Sequence, residues 1–247
     1  PLAATNLEES PDPRPIARVL TTLRLETSFN YNRQVYVGIP MDLPEPTDQS
    51  FEGQLTPFLA DSLDLSRGRA FILFTAYSRL NRVFNHLAPL LEKKGYPCLK
   101  QGQASRSMLT EAFRRDIGSV LFATSSFWEG VDVQGESLSC LAITRLPFRV
   151  PGEPLAEARI EALSKQGLDP FYNLIVPQAV IRFRQGFGRL IRSKTDRGAI
   201  LICDRRVATK RYGRMFLNSL PSSEFHQAPT RNILEVLEAF YTSGDRQ

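Results

Sequence analysis

Ala70-Phe71-Ile72-Leu73-Phe74-Thr75 is followed, after Ala76-Tyr77, by Ser78-Arg79-Leu80, and these two adjoining stretches decide the fold class. The first is a continuous apolar run, the pattern of a strand buried on both faces. The second opens a segment, 78–94, in which Leu80, Val83, Phe84, Leu87 and Leu91 share one helical side before Gly95 stops it. The same alternation recurs outward in both directions. Strand patterns fall at 34–39, 96–100, 119–123, 138–144 and 199–203, and helical patterns at 106–115, 155–165, 177–192 and 232–241. Strands alternating with helices predict an α/β domain around a mainly parallel sheet. In such sheets ligands gather at the carboxyl ends of the strands, which singles out the turns after Phe74, Ala123, Thr144 and Cys203.

Composition narrows the class further. The 247 residues suit one large domain or two small ones. A hydrophobic share of 42% and a charged share of 23% exclude a disordered or fibrous chain. No apolar run approaches the roughly 20 residues of a membrane span. Cys98, Cys140 and Cys203 are odd in number and far apart, which excludes a disulfide framework or a C-x-x-C metal site and predicts buried thiols in a reducing cytosol. His86 and His226 have no partner at ligand spacing and are expected at the surface. Residues 1–30 read as a connector, broken by Pro11, Pro13 and Pro15 before Ile16, Val19, Leu20 and Leu23 repeat at helical spacing. The chain opens at Pro1 without a methionine or a signal-like segment, so a piece of a longer protein is expected.

The net charge of +5 is unevenly placed. Eleven basic residues between Arg182 and Arg214 face only Asp196 and Asp204, so this segment carries +9 and the remainder −4. Such a concentration points to phosphates, in nucleic acid, a nucleotide or both. The competing explanation is a solvated face in an arginine-rich chain, since 25 of the 31 basic residues are arginine. At about 100° per residue, Arg182, Gln185, Arg189 and Arg192 fall on one side of the 177–192 helix, and Val176, Val180, Phe183, Phe187 and Leu190 on the other. Arginine suits the polar side if the target is phosphate, because its fork binds oxygens in pairs and keeps its proton. Gly186 and Gly188 would each cost about 1 kcal/mol inside a helix, which predicts close approach by another backbone or a ligand. A dinucleotide fingerprint is excluded, because its third glycine would stand at position 191, which is Ile191.

Gln185-Gly186-Phe187-Gly188-Arg189-Leu190-Ile191-Arg192 resembles motif VI of the DinG/XPD group of superfamily 2 DNA helicases. Ser126-Phe127-Trp128-Glu129-Gly130-Val131-Asp132 resembles motif V, and Phe74-Thr75-Ala76-Tyr77-Ser78 motif IV. The stretches 146–154 and 212–221 resemble bacterial DinG-type members in particular, and the likeness runs in order from about Ser28 to Pro221. It implies a RecA-like three-layer α/β domain, the P-loop NTPase-like second motor domain, over 31–247, with 1–30 connecting it to a first motor domain. ATP would lie between the two domains. Arg189 and Arg192 would be arginine fingers and Gln185 would orient the γ-phosphate or the attacking water. Glu129, Gly130 and Asp132 would line the ATP cleft, with Asp132 near the ribose or capping a turn, and Trp128 would pack.

The resemblance also assigns DNA contacts. Thr75, Ser78 and Arg79, and Thr124, Ser125 and Ser126, would hold the phosphates of a single strand without reading its sequence, unless they only cap helices. No Gly-Lys or Asp-Glu dipeptide occurs, so the phosphate loop and the Mg²⁺-holding acidic box are expected on the first domain. The family's four-cysteine iron–sulfur cluster is expected there too. The implied protein is a cytoplasmic ATP-dependent DNA helicase, in a family that includes repair helicases, and this chain alone should not hydrolyse ATP. Two rivals remain at this level. One is a stand-alone single-stranded nucleic-acid-binding module. The other is an unrelated small-molecule enzyme using the proline-rich loop at 146–154.

Overall fold

The computed structural model describes residues 29–124, 127, 138–149, 152, 154–188, 190–191, 193, 195–222 and 224–244. A short turn of helix, α1 (Tyr31–Gln34), leads into β1 (Val35–Pro40). The units α2 (Phe51–Leu65), β2 (Ala70–Phe74), α3 (Tyr77–Lys93), β3 (Cys98–Lys100), α4 (Arg106–Arg115) and β4 (Val120–Thr124) follow. Next come β5 (Cys140–Ile143), α5 (Pro154–Lys165), a π-helical turn (Phe171–Ile175) running into α6 (Val176–Phe187), and β6 (Gly198–Ile202). The short helices α7 (Arg206–Thr209) and α8 (Gly213–Leu217), the edge strand β7 (His226–Ala228) and α9 (Thr230–Gly244) complete the order.

The strands form one seven-stranded sheet in the order β3-β4-β2-β5-β6-β1-β7, and every pairing is parallel. Parallel neighbours need crossovers, so helices cover both faces and the central strands are buried except for half-buried Leu73. Alternate side chains feed two cores. Phe71, Leu121, Leu141 and Ile200 pack with Leu109 and Phe113 of α4, Phe183 and Phe187 of α6, and Phe216 of α8. Ile72, Phe122, Ala142 and Leu201 pack with Phe51, Leu55 and Leu59 of α2, Leu80, Val83 and Leu87 of α3, and Ile233 and Leu237 of α9. The result is a three-layer α/β domain.

The strong periodic segments sit where expected. Helix α3 ends as its glycine predicts. Gly95 takes φ +86°, its N–H donates to Glu92 O at 3.0 Å, and that of Tyr96 donates to Leu91 O at 3.0 Å. These two bonds close the last turn as a Schellman motif. Helix α2 was not expected, although Phe51, Leu55, Phe58, Leu59 and Leu63 repeat at helical spacing. Gly53 and Pro57 mask that pattern, and burial of its apolar side outweighs their poor propensity. The 177–192 helix is also corrected. It stops at Phe187, with Gly188 as its C-cap at φ −65°, and Leu190 and Ile191 are both buried beyond it. The proline-rich connector falls outside the described residues, except for its last two positions.

Candidate functional site

The chain leaves β2 toward β3 and β4 on one side and later builds β5 and β6 on the other. Successive crossovers therefore part between β2 and β5, and a crevice opens at their carboxyl ends. There a cleft is lined by Leu73, Phe74 and Thr75 at the end of β2, and by Ile143, Arg145 and Pro147 at the end of β5. Arg182, Phe183, Gln185 and Gly186 of α6 form its third wall. Thr75 and Gln185, about 110 positions apart in the chain, thus meet at one site.

Helix α6 reaches the cleft because its apolar side is pinned. Val176, Ala179, Phe183 and Phe187 are buried, and the ring of Phe187 lies 5.6 Å from that of Tyr31. Arg184 and Gln185 stay exposed and Arg182 is half-buried. Gly186 is buried, whereas Gly188 is exposed at the helix end, where a Cβ would meet only Arg184 O at 3.7 Å and Gln185 O at 3.9 Å. The expected helix-interior cost therefore does not apply to Gly188. Arg189, Arg192, Ser125, Ser126, Trp128, Glu129, Gly130 and Asp132 lie outside the described residues.

Helix α3 begins at the same crevice. Its N-cap is Ala76, which offers no side-chain hydrogen bond to the first turn, so the helix's positive end stays open. Ser78 is exposed and Thr75 half-buried. The Arg79 guanidinium lies 5.5 Å above the Phe51 ring with Nε 3.3 Å from Glu52 Oε1. Burial pulls the Arg79 pKa down; Glu52 opposes this, while the positive charges of Arg145, Arg82 and Arg206 add to it. Arg82 holds Glu52 with two bonds of 2.7 Å, and this charge-assisted pairing is the main force keeping the Glu52 carboxyl below its ordinary pKa.

Thr124 has a partner inside the domain. It is buried, and its N–H and hydroxyl both donate to Gln101 Oε1, at 2.7 and 3.0 Å. Gln101 Nε2 in turn donates to Tyr77 Oη. One amide from the turn after β3 therefore ties β4 to the start of α3. Sequence reading passed over Gln101, because a lone glutamine in a turn carries no pattern.

The turns after β5 and β6 are also fastened together. Asp204 is fully buried and accepts Leu146 N–H at 2.9 Å, Arg206 Nε at 2.8 Å and Arg206 Nη2 at 2.7 Å. That hydrogen-bonded pairing raises the Arg206 pKa. Phe148 packs its ring 5.9, 5.4 and 5.6 Å from those of Phe171, Tyr212 and Phe216. The described part of the proline-rich loop is thus an anchored wall of the cleft. Arg145, Asp204 and Arg206 stand in turns that the strand-end rule had already marked.

The remaining polar residues lie elsewhere. Burial pushes the Cys98 and Cys140 thiols up to about 12 and that of Cys203 higher still, so none is a reactive thiolate. No group of three or more metal-capable side chains occurs among the described residues. His86 is exposed, but His226 is half-buried in β7 with Nδ1 3.0 Å from Tyr36 Oη, which corrects the surface placement. Among the described residues no helix is long and apolar enough to cross a membrane.

Comparison with known proteins gives the family and the fold. The family described as "Helicase C-terminal domain" matches residues 59–223. The ATP-dependent DNA helicase YoaA of Haemophilus influenzae is 42% identical over 214 residues, covering 87% of this chain and 32% of that protein. The 3'-5' exonuclease DinG of Bacillus subtilis is 35% identical over 231 residues, covering 92% of this chain and 24% of that protein. The chain thus spans about a quarter to a third of the length of these curated relatives. An XPD helicase structure superposes with a TM-score of 0.57 at 16% identity, over 78% of this chain and 35% of that one. Dbp5 of S. cerevisiae, bound to RNA and ADP BeF3, gives 0.52 at 16% identity over 90% of this chain and 49% of that one. These two likenesses identify the RecA-like fold.

Proposed function

This chain belongs to the helicase C-terminal domain family, and from that membership we propose that it works as the second motor domain of an ATP-dependent DNA helicase. The observation that carries the reading is the convergence of Thr75 and Gln185 on one cleft at the sheet's crossover point, with Arg145 and Arg182 in its walls. In this reading ATP binds between this domain and a first RecA-like domain of the same polypeptide. Arg189 and Arg192 reach the γ-phosphate, and Gln185 orients that phosphate or the attacking water. Hydrolysis spreads negative charge over the phosphoryl oxygens, and a guanidinium delivered from a second domain can be worth about 10³–10⁵ in rate. Its engagement also couples domain closure to the γ-phosphate.

Glu129, Gly130 and Asp132 lie on the nucleotide side. Thr75, Ser78, Arg79, Thr124, Ser125 and Ser126 hold the backbone of a single DNA strand, Thr124 through the Gln101 amide. Uncapped amides at the start of α3 favour an anion there. Among the described residues no set of carboxylates is gathered for Mg²⁺, and the nearest buried one, Asp204, is committed to Arg206 and Leu146. We therefore assign Mg²⁺ and any iron–sulfur cluster to the rest of the polypeptide and route no step of this domain through them.

The test joins this chain to its first motor domain and replaces Arg189 or Arg192 with alanine. ATP turnover should fall by about 10³ or more, with a smaller loss of nucleotide affinity. Unchanged turnover in both variants would overturn the assignment.

A further inference from the structure

Tyr77 opens α3 just past the carboxyl end of β2, between Thr75 and Ser78, and it is 49% exposed. A tyrosine this open ordinarily leaves its hydroxyl in water and keeps its rotamer freedom. Here the tip of the side chain is held. Gln101 Nε2 donates to Tyr77 Oη, while Oε1 of the same amide accepts the N–H and the hydroxyl of Thr124 at 2.7 and 3.0 Å. The ring is thus fastened by its backbone to the first turn of α3 and by its hydroxyl to the ends of β3 and β4. Among the described residues no other aromatic ring lies against it, whereas Phe74 and Phe84 both pack on Phe122. The surroundings are open and basic. Every residue from Gly102 to Met108 is exposed. The two neighbouring turns, 75–78 and 99–108, contain Lys100 and Arg106 and no aspartate or glutamate. Lys100 forms no ion pair among the described residues; its Nζ lies 3.3 Å from Asn81 Oδ1. A rigid, flat apolar surface in a rim without carboxylates suits a ligand with flat faces joined by anionic links.

We infer that Tyr77 is a stacking platform for one base of a single DNA strand, and that Gln101 is the positioning residue that fixes its ring. The inference rests on the helicase reading and deepens it, because that reading gives Thr75 and Ser78 to phosphates and leaves the bases without a contact. Stacking is tolerant of sequence, since every base has a π-face, and so suits a motor that moves along any strand. A tyrosine has only two side-chain torsions, and fixing them in advance lowers the ordering cost of binding. Stacking also releases no counterions, so it adds affinity without adding salt dependence. That separates it from a phosphate contact.

The test uses this chain joined to its first motor domain and two labelled strands about 12 nucleotides long. One is oligodeoxythymidine, and the other is abasic, with the same phosphates and no bases. Affinities are read by anisotropy over a series of salt concentrations. Tyr77→Ala should weaken binding of the thymidine strand about tenfold and that of the abasic strand by less than about twofold, with the salt slope unchanged. Tyr77→Phe keeps the ring and should stay within about threefold of the parent. Gln101→Ala should narrow the preference for the thymidine strand about threefold, and should narrow it no further in the Tyr77→Ala background. Retained binding of the abasic strand shows that each variant is folded. The inference is overturned if Tyr77→Ala leaves the preference for bases unchanged, or if it weakens both strands equally, as loss of a phosphate contact or of the fold would. An equal effect of Gln101→Ala with and without Tyr77 removes the positioning role. A parent that binds the strand and turns over ATP faster with it, yet ignores Tyr77, removes the platform and leaves the helicase reading intact. A parent that binds neither strand and shows no DNA-stimulated turnover removes the helicase reading, and the platform with it.

Discussion

The two ends of the sheet solve the same problem in opposite ways. At the amino end, Gln34 is buried and spends its whole amide. It accepts Asn30 N–H at 2.9 Å and donates to Ser193 O at 2.9 Å and Asp196 O at 2.8 Å. Ser193 and Asp196 close the loop by bonding each other at 2.6 Å. At the carboxyl ends of β2 and β6, Arg79 Nη1 and Arg205 Nε are buried with no hydrogen-bond partner among the described residues, and at the amino end the one such group is the small Ser139 hydroxyl before β5. A saturated end holds a fold together. An end that leaves guanidinium donors unspent is held below the stability that full pairing would allow.

This contrast can be broken from either side. The largest effect expected is on rate, through the loss of about 10³ or more in ATP turnover when Arg189 or Arg192 is removed from the two-domain protein. Next is Asp204→Ala, which leaves Arg206 and Leu146 N–H without their buried partner and should destabilise the chain by about 3–5 kcal/mol in urea titration. A loss well under 1 kcal/mol would show that the wall of the cleft is not fastened there. Gln34→Ala should cost about 1–3 kcal/mol in the same measurement without weakening strand binding, because the amino end is structural.

The glycines sharpen the comparison. A Cβ at Gly198 would stand 2.7 Å from Leu190 Cδ1 and 2.8 Å from Ser139 O, so Gly198→Ala should destabilise by about 1–3 kcal/mol. Gly188→Ala makes only ordinary van der Waals contacts at ordinary φ and should be neutral or stabilise by about 0.4–1 kcal/mol. If it also slows ATP turnover in the two-domain protein, that glycine serves a partner's approach. The smallest effect concerns pH. The Glu52 pKa is depressed in the folded chain, so its contribution is present above the ordinary glutamate range and fades as pH falls through the lowered value. Arg82→Ala should flatten that acid dependence only slightly in urea titrations at a series of pH values, since the pair is largely solvent-screened.

Much of the architecture could be read before any coordinates. The apolar run of β2 pairs on both sides, with β4 and β5, because a strand with no polar face has nowhere else to lie. The strand-end rule marked the turns that hold Thr75, Arg145 and Asp204. It could not say that Thr124 would spend both donors on Gln101, since those residues are 23 positions apart. The helical wheel drawn through Arg192 failed for a related reason. Periodicity continues on paper past Gly188, but the backbone turns there toward β6 and buries Leu190 and Ile191.

The sequence by itself determined the layers, the parallel sheet and the end of it where ligands belong, because apolar periodicity and crossover geometry are local properties summed along the chain. Only the tertiary structure decided which polar groups would be paired and which left open. Hydrogen-bond partners such as Gln34 with Ser193, or Asp204 with Leu146, are chosen by through-space approach across many intervening residues. The donors left over at Arg79 and Arg205 become visible only once every other partner has been assigned.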